Sequence, residues 1–292
     1  MIRYFIVQKL YTMHLLKYTS LLVLAGVFAS CTKENIPGDN NDETAGLTLA
    51  ATIINTTHKI ELYTQSGALQ QGYNKVFFQI RNNDGSLTDN ATLSWKPVMN
   101  MMSMQHSCPY SFITKVAGKR SLYEGFIVFQ MAGNDTEYWA LGFDYTIGSN
   151  TYSASGKINV SAPAKRNIVS FKGSDNVNYI IALVAPTNPK VAVNDMQAMV
   201  FKMQDMMTFQ TVDGYTIKID PRMPGMGNHS SPNNTDLKQN STDKLYQGKL
   251  SFTMTGYWKI NLQLGNQSGT ILKGEPVTTA NESSSIYFEI EF

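Results

Sequence analysis

Two short stretches hold the residues of this sequence best suited to chemistry. Residues 97–109 carry Met99, Met101, Met102, Met104, His106 and Cys108; residues 221–232 carry Met223, Met226 and His229. Thioether, imidazole and thiolate donors suit a soft ion such as Cu(I), whereas carboxylates suit Mg, Ca or Mn. Neither stretch contains Asp or Glu. Past residue 31 the histidines are His58, His106 and His229, so two of the three sit beside these methionines. Pro, Gly, Asn and Ser surround them, the composition of a surface loop rather than a core. Exposed methionines form an apolar patch that needs a reason. The pattern points to a soft-metal site, with the Cys108 thiolate as the strongest donor of the first loop. A contact surface for a partner and a structural loop are the competing readings. Methionine also fills irregular cores, and Met131 and Met254, within expected strands, read that way.

The same residues argue against catalysis. Ser107 and Ser230 each follow a histidine, but sequence neighbours rarely make the nucleophile–base hydrogen bond, and no paired acid is evident. The ligand sets of catalytic zinc are absent. The expectation is a binding protein, not an enzyme.

The two loops belong to an internal repeat. Both run Pro-x-Met, further methionine, then His-Ser-x-Pro, and His229 minus His106 is an offset of 123. That offset also carries Leu122-Tyr123-x-Gly125 onto Leu245-Tyr246-x-Gly248, Phe129-x-Met131-x-Gly133 onto Phe252-x-Met254-x-Gly256, and Phe78 onto Phe201. Many matches at one offset indicate a duplicated domain. The boundary falls in the Pro- and Lys-containing stretch 161–167, giving domains at 47–162 and 163–292.

The elements that position the loops read as strands. Trp139, Leu141, Phe143 and Tyr145 alternate on one face of 138–147, and Ile286, Phe288, Ile290 and Phe292 on one face of 285–292. Residues 75–80 form a buried apolar run, Pro97 ends a strand that begins at Ala91, and 122–131 is another strand. No helical period is sustained. Short strands with frequent turns, twice over, give an all-β fold of two tandem immunoglobulin-like antiparallel β-sandwiches, with a barrel as the alternative. If strands alternate direction, Met196 and Met199 fall at the His229 end of the second domain. Met206 and Met207 fall at the opposite end, as packing.

Ahead of the domains, residues 1–30 read as an export signal, too short to span a membrane. Translation could start at Met1 or Met13. Phe28-Ala29-Ser30-Cys31 resembles the lipobox of bacterial lipoproteins, which implies cleavage before Cys31 and lipidation of its thiol. Residues 31–46 are polar and read as a flexible tether. The implied location is the cell envelope, lipid-anchored, at the outer membrane. The net charge of +2 and a charged fraction of 16% give no basic stripe for nucleic acid.

The second loop, with a strand, Pro221-x-Met223-Pro-Gly-Met226-Gly-Asn-His229, then a further strand, resembles the YtkA-like domain family. These are small exported β-sandwiches often found near copper or respiratory functions. The match is best over 199–264 and looser in the first copy, where Met101-Met102-Ser-Met104 replaces the Pro-Gly spacing. Met223, Met226 and His229 carry over by position. The resemblance implies a metal-handling setting: copper bound for sequestration or delivery, with a copper-handling or other envelope protein as partner. The alternative is an interaction module of the envelope that uses the loops against a protein or glycan.

Overall fold

The computed structural model describes residues 42–240 and 242–292. Cys31, the segment 1–30 and the tether up to residue 41 lie outside the described residues. One compact unit runs from Glu43 to Phe292. It takes in the end of the expected tether, because the Glu43 carboxylate accepts hydrogen bonds from the Arg120 and Ser121 amides and the Ser121 hydroxyl. Burial works against that charge, but the three donors outweigh it and hold the Glu43 carboxyl below its ordinary range.

The fold is all-β. The only helical element among the described residues is the short 3-10 turn Pro224–Met226. In the first half two sheets face each other. One orders Thr48–Ile54, His58–Thr64, Gly72–Asn82 and Tyr123–Phe129; the other orders Asn150–Ile158, Tyr138–Ile147, Ala91–Asn100 and Gln105–His106. The alternation read along Tyr138–Ile147 is realised: Trp139, Leu141, Phe143 and Tyr145 are buried against Phe78, Ile60 and Ile80 of the facing sheet. Each such side chain removed from water contributes about 1.5–3 kcal/mol.

The second half repeats the order of strands. Ile168–Lys172, Asn178–Ala185, Val193–Met203 and Tyr246–Ser251 lie side by side, and Thr216–Met223 pairs with Tyr257–Gly265. Here Thr235–Gln239 pairs on both sides, with Tyr246–Ser251 and with Thr216–Met223. It stitches the two layers into one curled sheet, so the second half takes on the character of the barrel alternative. Its counterpart in the first half, Thr114–Lys115, pairs only with Tyr123–Phe129. No strand ladder among the described residues crosses from 47–162 to 163–292. Each half has its own core, and a third cluster, including Val128, Ile180, Met199 and Phe201, packs the halves together.

Three strand expectations change. The strand from Ala91 does not stop at Pro97 but runs on to Asn100, pairing Pro97 with Leu141. The Pro97 carbonyl accepts from the Ser107 hydroxyl, so the missing N–H also faces that side and costs the ladder to the Trp139 strand nothing. The strand expected over 122–131 is Tyr123–Phe129, which leaves Met131 in a turn, and the strand expected to hold Met254 is Tyr246–Ser251, which leaves Met254 in a turn. In both turns a tryptophan pins the chain: the Trp139 indole donates to the Met131 carbonyl and the Trp258 indole to the Met254 carbonyl.

Candidate metal centre

The first Met/His stretch is a hairpin. Ala91–Asn100 folds back onto Gln105–His106, and residues 101–104 form the turn, closed by a hydrogen bond from Met101 N–H to the Met104 carbonyl at 3.0 Å. In an antiparallel ladder, bonded pairs recur at every second residue. Counting down from Met101–Met104, the next bonded pair is Met99 with His106. Residues paired directly across a ladder point to the same face, with Cβ atoms about 5 Å apart. Met99 is also paired on its other side with Trp139. His106, Met99 and Trp139 therefore form one row across the core-facing side of the sheet. The His106 and Trp139 rings meet edge to face, 5.5 Å between centroids.

The His106 ring is held by its own backbone. Its Nδ1 lies 2.8 Å from the Ser107 carbonyl, a distance that fixes Nδ1 as the donor and leaves Nε2 with its lone pair. The other candidates of this loop separate. Met99 is wholly buried, and Met101 is partly buried against the same core. Met102 and Met104 are exposed, 87% and 48%. Cys108 is sealed in the core, and burial pushes its thiol well up, so at neutral pH it is a protonated packing group. The donor expected to be strongest is thus the least available.

The second stretch builds the same row. Met223 is paired with His229, and Pro221 with Ile260 as Pro97 is with Leu141. One rung beyond the Arg222–Lys259 pair, Met223 falls opposite Trp258. Met223 and Trp258 are buried in the second core. The turn differs: Pro224–Met226 is a 3-10 turn, and Gly227 and Asn228 both have positive φ, 63° and 59°. Asn tolerates that conformation better than other side chains. Met226 and His229 are exposed.

The structure thus sorts the nine candidates. It joins Met99 to His106 and Met223 to His229 as neighbours, half-buries Met101, turns Met102, Met104 and Met226 to solvent, and packs Cys108 away. Sequence reading did not place Trp139 and Trp258 beside these methionines. The signal was present, since each follows a Phe-x-Met-x-Gly stretch by a few residues, but it was read as core alone. Among the described residues no group of three or more His, Cys, Asp or Glu side chains could hold a metal. A site at either hairpin therefore depends on thioethers, the donor type that fits Cu(I) and not Zn or Ca. The chain matches no protein-family model and no curated protein.

Proposed function

We propose that the two hairpins bind a soft ion, Cu(I), for sequestration or delivery. The observation that carries this reading is the repeated row: a histidine beside a methionine beside a tryptophan, twice, in register. His106 with Met99, and His229 with Met223, would supply an imidazole and a thioether each, and the exposed thioethers of Met104 and Met226 are within the same turns. Cu(I) needs few ligands and little charge compensation, which suits a site without carboxylates. Anchoring at the envelope through lipidated Cys31, and kinship with YtkA-like domains, belong to the same proposal.

The test is a competition titration of the purified protein against a Cu(I) chelator probe, on wild type and on the double variant His106→Ala, His229→Ala. Micromolar or tighter binding that the double variant loses supports the reading. No binding by wild type sinks it. A second reading has its own observation: Phe112 is 95% exposed and Met102 87%, apolar groups that a protein partner would cover. Failure of the titration leaves an envelope interaction module as the better account.

A further inference from the structure

The two halves differ at one seam. In each, the segment after the hairpin meets the next strand through a hydroxyl. Ser111 Oγ accepts from the Phe126 N–H at 2.9 Å, and Thr235 Oγ1 from the Lys249 N–H at 2.8 Å. A bulge follows in each. Pairing advances from Tyr110 to Thr114 against Ile127 to Glu124, and from Thr235 to Lys238 against Lys249 to Gln247, one extra residue each time. The bulged residues are Phe112 and Ile113 in the first half, Asp236 and Leu237 in the second. Asp236 closes its seam: the carboxylate accepts from the Ile219 N–H at 3.1 Å, and Leu237, wholly buried, pairs with Ile217. With Pro97 matched to Pro221, the counterparts of Ile217 and Ile219 are Leu93 and Trp95. Phe112 has no carboxylate to offer Trp95 and stands 95% exposed. Among the described residues no ladder joins Ile113 to Leu93. Ala91, Leu93, Ile113, Lys115 and Tyr123 instead line a cavity of about 350 Å³.

We propose that this open seam docks an extended, acidic segment of a partner protein, added as a strand between its rims. The proposal rests on the interaction reading above, not on the metal. Both rims carry open main chain. Thr114 and Val116 turn theirs to the Tyr123 strand, the Val116 N–H donating to the Leu122 carbonyl at 2.9 Å, so Lys115 faces the gap. The Ala91 N–H donates to the Tyr123 hydroxyl at 2.8 Å, so Leu93, two residues on, faces it too. The Trp95 indole donates to the Ser111 carbonyl at 2.7 Å and ties the rims together at one end. Open N–H and C=O groups along strand edges are a template for another strand, whose alternate side chains enter pockets. An apolar side chain of the segment fills the space between Leu93 and Ile113, and Phe112 covers it. The acidic character follows from Lys115, whose ammonium meets the Asp89 carbonyl while the Asp89 carboxylate lies 3.9 Å from Arg120. A folded second copy is not the occupant, because a stable dimer buries about 1,200–2,000 Å² and this gap admits a single strand.

The test combines residue-resolved amide exchange of the full chain with fluorescence anisotropy. The probe is a short end-blocked peptide that alternates valine and glutamate, labelled with a dye. In the free chain the Leu93 amide should exchange faster than that of Ile217, and the peptide should slow it. A peptide with lysine in place of glutamate, and the variant Phe112→Ser, should each bind at least about tenfold more weakly, the factor one lost contact of ordinary strength gives. Phe112→Asp supplies the acceptor that Asp236 supplies in the second half, so the Leu93 amide should slow without any peptide. The exposure of Phe112 makes misfolding a poor explanation of a loss, and circular dichroism checks it. A Leu93 amide as slow as that of Ile217 in the free chain, or no binding of the peptide, overturns the proposal. So does equal binding of both peptides by wild type and Phe112→Ser, which puts the contact elsewhere. A folded protein or glycan that binds where the peptide does not leaves the interaction reading standing without this seam.

Discussion

The two hairpins carry the same row of side chains and stand in opposite surroundings. Around the first, His106, Ser107 and Cys108 are all buried, Cys108 within the core of its own half, and the Ser107 N–H donates to the Met206 carbonyl of the other half. Around the second, His229 and Ser230 lie open and only the methionine and tryptophan of the row are enclosed. The inner part of the row, Met with Trp, is thus a property of the repeated fold. The outer part, the histidine, takes its environment from what the duplication places beside it. Two halves with the same strand order need not give their hairpins the same surroundings: the hairpin whose edge meets the other half gains a neighbour, and the other stays open.

The largest effect should come from the shared inner part. Trp139 and Trp258 are wholly buried, and each pins its turn through the indole N–H. Replacing either with alanine should cost about 3–5 kcal/mol, the usual loss for a buried aromatic. Urea denaturation of the two variants should show similar losses. A loss confined to one of them would mean that the rows are not equivalent.

The outer part should separate the copies by reactivity. Diethyl pyrocarbonate should modify His229 first. His106, buried beside Met99 and Trp139, must wait for its hairpin to open, and an opening cost of about 1.4 kcal/mol already makes it roughly tenfold slower. Peptide mapping after brief treatment measures both in one sample. Equal rates would show that the burial of His106 does not persist in solution.

How far the sequence reached follows the same division. Strand alternation at Trp139–Tyr145, the offset of 123 and the Met–His spacing were all local or periodic, and so visible. The burial of Met99 and Met223 was not. Pro97 reads as a strand end, yet its missing N–H faces away from the Trp139 strand, so that strand runs on to Asn100, as the other runs past Pro221 to Met223, and each turns its methionine inward. The Ser107–Met206 bond joins residues 99 positions apart by a single backbone contact. Nothing in side-chain pattern announces a bond that only main-chain atoms make.

A finer difference lies beneath the rows, at the glycines that follow Met131 and Met254. Gly256 has φ of 121°, and a Cβ there would come within 3.1 Å of the Met223 Cε. Gly133 has no positive φ, and its nearest neighbour would be the Glu137 carbonyl at 3.4 Å. Gly256→Ala should therefore cost about 1 kcal/mol or more, and Gly133→Ala less, because alanine strains only the first position. Thermal melts of both variants decide it. Equal costs would mean that Met223 gives way freely and the second row is loosely packed.

The smallest expected effect concerns acid, and it too distinguishes the halves. His58 opens a strand of the first half and is buried among Tyr145 and Tyr152. Asn55 Nδ2 donates to the Tyr145 hydroxyl, which leaves that O–H free to donate to His58 Nδ1 at 3.0 Å. A proton on Nδ1 would take away this acceptor and place a charge in a dry pocket. Burial accordingly pushes the His58 pKa below its ordinary value of 6.5. The sign follows from linkage: below about pH 6.5 the unfolded chain takes up the proton before the folded one, so stability falls as pH falls, and it levels off once the folded pKa is passed. The matching strand of the second half, Asn178–Ala185, has no histidine. Denaturation midpoints measured from about pH 7.5 down to about pH 5, across the ordinary histidine range, should drop for wild type and drop less for His58→Gln. An identical drop in both would show that His58 does not carry the acid sensitivity.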